Sequence, residues 1–167
     1  VKQSPINLRT ATFNVRSFKE PKHTGRQRDR KITRIASIRN QLKDMDLHLI
    51  GMQETRLPRE SYPANGFWII SGGHDNHNLG CSLLVNLDLP YIDHQDKVRR
   101  LACRHFKILY QHPRLLVVRL TAPGLRKTIA VAHAPHNDSS EEKCTEFWAD
   151  LSDKTKRYGI NYLMIDA

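Results

Sequence analysis

Apolar stretches of this chain repeatedly run into a residue able to hold a metal ion or a phosphate. "TFNVR" brings Asn14, "MQETR" brings Glu54, "AHAPHN" brings His133 and His136, and "NYLMIDA" brings Asp166. A carboxylate pair with an amide and imidazoles suits a hard divalent cation, Mg²⁺ (or Mn²⁺). Such an ion neutralises a phosphoryl oxygen, positions a water and stabilises a departing alkoxide. Each residue has a plainer reading. A lone strand-end Glu54 or Asp166 is usually a turn residue, and Asn14 alone carries less still. His133 and His136 also fit loop histidines or a His-x-x-His zinc pair. Against zinc, no cysteine stands at suitable spacing and no H-E-x-x-H helix is present. The chemical reading therefore requires these strand ends to meet at one rim.

Charge narrows the substrate. The 167 residues carry 27 Lys and Arg against 17 Asp and Glu, a formal net charge of +10. A polyanionic partner is expected, nucleic acid foremost. The excess gathers in "FKEPKHTGRQRDRKITR" at 18–34, directly after Asn14. That stretch reads either as a solvated loop and helix start or as a phosphate-backbone contact surface, and the two are compatible. Arg16, Arg26, Arg28, Arg30 and Lys31 are the residues expected to meet nucleic acid. No apolar stretch approaches the ~20 residues of a membrane helix. No large apolar face accompanies the charge, which argues against an acidic membrane surface. The first residues hold no apolar signal core. Cys81, Cys103 and Cys144 are odd in number and share no C-x-x-C spacing, which favours a reducing compartment and no structural zinc.

The elements that must position these residues follow from hydrophobic period. Residues 6–15 read as a mostly buried strand, with Ile6, Leu8, Ala11, Phe13 and Val15. A helix is expected over 29–45, with Ile32, Ile35, Ile38, Leu42 and Met45 at helical spacing and Asp29 as N-cap. Strands follow at 46–54, 66–73 and 80–86, the last two around a Gly-rich turn. Residues 104–111, 114–122 and 127–134 read as a three-strand meander turned at "HP" and "PGL". A helix is expected over 139–159, opened by a Ser139/Glu142 capping box, with Phe147, Trp148 and Leu151 apolar and Gly159 as C-cap. The last strand is 160–166. Helices between strands and a run of strands in the middle give a mixed-sheet α/β sandwich in one domain, 1–167.

In that order, "ATFNVRSF", "DLHLIGMQETR", "VAHAPHN" and "NYLMIDA" resemble the endonuclease/exonuclease/phosphatase superfamily. The likeness is greatest to non-long-terminal-repeat retrotransposon endonucleases and apurinic/apyrimidinic endonucleases. The resemblance implies a four-layered α/β sandwich, two mixed β-sheets flanked by helices. It implies that Asn14 organises the site and helps hold the metal, that Glu54 binds the metal, and that Asp166 orients or activates the attacking water. His133 and His136 fall in the phosphate-contacting loop, and Arg56 stands where relatives often carry a basic residue and is a further residue expected to meet nucleic acid. The implied activity is Mg²⁺-dependent nicking of double-stranded DNA in the nucleus, leaving a 3′-hydroxyl. An inositol-phosphate or sphingomyelin-type phosphodiesterase of the same fold is the second reading. A catalytically dead nucleic-acid-binding remnant is the third.

Departures favour the third reading. The loop that usually reads Tyr-x-Pro-Asn is His133-Ala134-Pro135-His136, and Ile165 replaces the usual glycine. The later strands of the family, with their Asp-His pair, have no counterpart before Ala167. The expectation is a domain lacking its C-terminal part, with an unpaired final strand, marginal stability and little activity.

Overall fold

The structure is a computed structural model that describes residues 6–16, 34–64, 66–74, 79–136 and 138–166. Asp29 and the basic residues Arg26, Arg28, Arg30 and Lys31 lie outside the described residues. In chain order the elements are β1 (Thr10–Asn14), α1 (Arg34–Lys43), β2 (Leu49–Gln53), β3 (Ser61–Ala64), β4 (Phe67–Ser71), β5 (Ser82–Asn86), β6 (Pro90–Ile92) and β7 (Val98–Arg100). A 3₁₀ turn (Cys103–His105) precedes β8 (Phe106–His112), β9 (Leu115–Ala122), β10 (Leu125–His133), α2 (Glu141–Tyr158) and β11 (Tyr162–Asp166).

The central strands are apolar on both faces, so each sheet needs cover on two sides. Along β9, Leu116, Val118 and Leu120 face one way, while Leu115 and Val117 face the other. The first sheet runs β1-β2-β5-β4-β3 and the second β11-β10-β9-β8, with β6-β7 a separate hairpin. Their inner faces share one core: Leu49, Ile70, Leu83 and Val85 pack against Leu116, Val118, Ile129, Val131 and Met164. On the outer face of the first sheet, α1 lays Ile38 and Leu42 over Ile50, Met52, Phe67 and Leu84. On the outer face of the second, α2 lays Phe147 and Leu151 over Leu115, Val117, Ala130 and Ala132. Helix, sheet, sheet, helix is the four-layered α/β sandwich. Burying each of those two α2 side chains stabilises the layer by about 1.5–3 kcal/mol.

Two parallel pairs set up the rim. β1 lies parallel to β2 with Asn14 opposite Gln53, and β10 lies parallel to β11 with His133 opposite Asp166. Parallel pairing aligns the carboxyl ends within each pair, and a hydrogen bond from Asn14 to Asp166 brings the two pairs of ends together. The two pairs touch where β2 crosses β11. There Gly51 faces Met164, and a Cβ at Gly51 would sit 2.6 Å from the Met164 Cβ. Glycine is what lets the sheets approach this closely.

Several expectations need correction. The cap of α2 is Ser140, whose hydroxyl accepts from Lys143 N, rather than Ser139. Trp148 is 48% exposed because it falls off the stripe of α2 that faces the sheet, and Met45 is 49% exposed because α1 ends at Lys43 and Met45 lies in the turn beyond it. Strands β3, β6 and β7 were not anticipated. All are short, and β3 and β6 each contain a proline. β11 is the edge of its sheet, with Leu163 46% exposed.

Candidate active site

The rim is built from below by Gln53, a fully buried amide at the end of an otherwise apolar strand. Its Nε2 donates to Thr12 Oγ1 at 2.9 Å and to the Met164 carbonyl at 3.3 Å. One side chain thus ties β1, β2 and β11 together a residue short of the site. The backbone then turns sharply. Glu54 and Arg56 both adopt left-handed conformations, φ +55° and +54°. For side chains with a Cβ this costs roughly 1–3 kcal/mol each. The turn is held by Thr55 N donating to the Gly80 carbonyl at 3.0 Å and Arg56 N donating to the Leu79 carbonyl at 2.9 Å. Gly80 has φ +106°, and a Cβ there would lie 2.9 Å from Arg56 N. The glycine is required by that close approach.

Above this floor Asn14 connects the two sheets. Its Nδ2 donates to Glu54 Oε1 at 2.8 Å and to Asp166 Oδ2 at 2.7 Å. Its Oδ1 accepts from Arg16 N at 3.0 Å. In this orientation Asn14 presents its donor face to the two carboxylates. Arg16, exposed and at φ +54°, follows directly at the rim. Arg56 places a guanidinium nitrogen 3.8 Å from Glu54 Oε2, and its buried Nε has no hydrogen-bond partner.

His133 is 2% exposed, with Nε2 3.9 Å from Glu54 Oε1. Burial pulls its imidazole below the ordinary histidine value. The Arg114 cation acts in the same direction, and Glu54 and Asp166 oppose it. The ring is neutral near pH 7, so its approach to Glu54 is not an ion pair. Its Nδ1 is buried without a partner. Leaving such a group unsatisfied costs about 1–3 kcal/mol, which asks for an explanation in a settled fold. His136 is exposed and meets the His133 ring edge-on, centroids 5.7 Å apart. Glu54, His133 and His136 bring ligand atoms within 4.8 Å of one another. These donors fit a divalent ion, two carboxylates and two imidazoles being gathered at one edge.

The structure therefore brings Asn14, Glu54, His133, His136, Asp166, Arg16 and Arg56 to one rim. Two positioning residues escaped the sequence reading. Gln53 carried a signal, a polar residue at the end of a buried run. Arg114 carried none: its Nη1 donates to the His133 and Ala134 carbonyls, both at 3.2 Å, and fixes the end of β10.

No protein-family profile and no curated protein matches the chain. Among solved structures it is similar to the endonuclease domain of TRAS1, a telomere-specific non-LTR retrotransposon. The TM-score is 0.56 at 12% identity, over 95% of this chain and 57% of that one. The chain thus has the fold of that endonuclease domain and spans somewhat more than half of its length.

Proposed function

We propose that this chain carries the metal-binding part of a phosphodiesterase site that nicks the backbone of nucleic acid, double-stranded DNA foremost. The observation that supports it most is Asn14, whose one amide nitrogen holds Glu54 from one sheet and Asp166 from the other. Two carboxylates fixed side by side, beside neutral His133 and exposed His136, form a seat for a divalent cation, Mg²⁺ or Mn²⁺. Bound there, the ion would withdraw charge from a phosphoryl oxygen. The protein's own groups supply the rest. Asp166 accepts a hydrogen bond from the attacking water and takes its proton. The water oxygen bonds to phosphorus, the P–O3′ bond breaks, and the 3′-oxygen leaves as a hydroxyl on gaining a proton. Arg56, with its guanidinium 3.8 Å from Glu54, and Arg16, two residues after Asn14, would hold the phosphate, and His136 would donate to it. The net charge of +10 favours a polymeric anion over a small phosphate ester.

The test is conversion of supercoiled plasmid to nicked circle with Mg²⁺ or Mn²⁺. Nicking should vanish on chelation and fall by at least about a hundredfold in Glu54→Gln, since even outer partners of a metal site are worth ~10–100-fold. DNA binding that persists without nicking, and that Glu54→Gln leaves unchanged, would favour a binding module.

A further inference from the structure

We propose that Glu54, His133 and His136 form a two-imidazole, one-carboxylate seat that prefers a later, borderline transition ion, Zn²⁺ or Co²⁺, over Mg²⁺. The inference rests on the reading of Glu54 as a cation ligand and goes further by naming the ion class and two further ligands.

A comparison between two buried histidines carries the argument. His48 and His133 are equally buried, each 2% exposed. His48 is a structural histidine: Nδ1 accepts from Arg9 N at 3.1 Å and Nε2 donates to the Pro90 carbonyl at 3.1 Å. His133 commits neither nitrogen to a structural bond. Nδ1 has no partner, and Nε2 stands 3.9 Å from Glu54 Oε1. With Nε2 turned to Glu54 and tied to no structural donor or acceptor, the ring is free to present that nitrogen to an ion.

The spacing agrees. Ions with bonds of about 2.0–2.2 Å hold neighbouring ligand atoms roughly 3–4 Å apart. The ligand atoms here lie within 4.8 Å, so closure requires about 1–2 Å of movement. His136 is exposed and can supply it by a side-chain rotation.

Local charge points the same way. Mg²⁺ binds through carboxylate charge and retained water. At this rim Arg56 offsets Glu54 from 3.8 Å, and the Arg114 guanidinium sits on the carbonyls of His133 and Ala134. With Glu54 partly neutralised, imidazole donors count for more. Imidazole affinity favours later first-row ions.

Calorimetric titration of the whole chain with Zn²⁺, Co²⁺ and Mg²⁺ tests this, with the visible ligand-field spectrum of Co²⁺ as a second readout. One Zn²⁺ or Co²⁺ should bind at least about a hundredfold tighter than Mg²⁺, with an intense low-coordinate Co²⁺ spectrum. His136→Ala leaves the fold untouched because the residue is exposed. It should lower Zn²⁺ affinity by ~10–100-fold and weaken the Co²⁺ bands. Glu54→Gln should do the same. Zn²⁺ binding that neither variant alters would belong to other histidines and overturn the proposal, as would equal affinity for Zn²⁺ and Mg²⁺. The two readings separate cleanly. Zn²⁺ binding lost in His136→Ala, with no nicking by any ion, keeps the seat and removes the nuclease. Mg²⁺-driven nicking without a preference for Zn²⁺ or Co²⁺ does the reverse.

Discussion

Replacing Gly51 by alanine should loosen the whole rim from beneath, although residue 51 touches no ligand. The new Cβ would stand 2.6 Å from the Met164 Cβ and 2.7 Å from its Sδ. Ordinary carbon contacts are about 3.5–4.0 Å. The thioether can rotate away, but the Met164 Cβ is fixed to the β11 backbone, so β11 must recede by about 1 Å. Overpacking of this kind costs about 1–3 kcal/mol. A domain of this size has ~5–15 kcal/mol in all. With a urea slope of about 2 kcal/mol per molar, the unfolding midpoint should fall by roughly 0.5–1.5 M.

A double-mutant cycle separates this clash from other causes. Met164→Gly removes the three nearest atoms that the new methyl would meet. It is destabilising on its own, by about 2–5 kcal/mol, because it empties a buried position. In that background Gly51→Ala should be close to neutral, giving a coupling of about 1–3 kcal/mol. Urea midpoints of the four proteins, at constant slope, measure it. Equal costs of Gly51→Ala in both backgrounds would refute the reasoning, as would a harmless Gly51→Ala in the parent chain. Either result would mean that β2 and β11 do not meet here. The contact between Asp166 and Asn14 would then lack its support.

Two further outcomes are expected. Asn14→Ala removes the shared donor of Glu54 and Asp166 and leaves two carboxylates facing each other. Divalent-ion affinity should fall by ~10–100-fold, read by calorimetry, with the circular dichroism spectrum unchanged because the residue is exposed. His48 sets a pH dependence of stability. Burial lowers its folded pKa below the ordinary 6.5, so near and below that pH the unfolded chain binds more protons than the folded one. Stability is full above pH 6.5 and falls as pH drops towards the folded value, by at most about 1.4 kcal/mol per pH unit from this group. His133 is shifted the same way and adds to the slope. Urea midpoints between pH 7.5 and 5.5 should show a shallower fall in His48→Gln than in the parent; identical slopes would remove His48 as a cause.

What the sequence revealed and what it hid divide along a physical line. The strand ends at Asn14, Glu54, His133 and Asp166 were legible because an apolar run that stops at a polar residue is a local pattern. The layer order was legible because β9 and β10 are apolar on both faces, and α1 and α2 on one. Period fixed the face of α2 only roughly. Phe147 and Leu151 lie four apart on the stripe, and Trp148 sits one step, ~100°, round the helix. β3 was hidden because Pro63 interrupts a short edge strand that has little buried apolar pattern.

The supports of the site belong to a different class. Gly51 matters because Met164 approaches it from 113 positions away, and Arg114 matters because β10 ends beside it. Neither fact has a local signature. Gln53 lies between these classes. A buried amide at the end of β2 breaks the apolar pattern, and such a break demands partners for its polar atoms. The pattern alone announces that partners exist without naming Thr12 and the Met164 carbonyl. In "QET" the two polar residues therefore do different work. Gln53 points into the sandwich and joins its sheets, and Glu54, turned outward by a left-handed backbone, faces the rim. A change at Gln53 should thus be read first as a loss of sheet-to-sheet register. Any loss of ion affinity would follow from it.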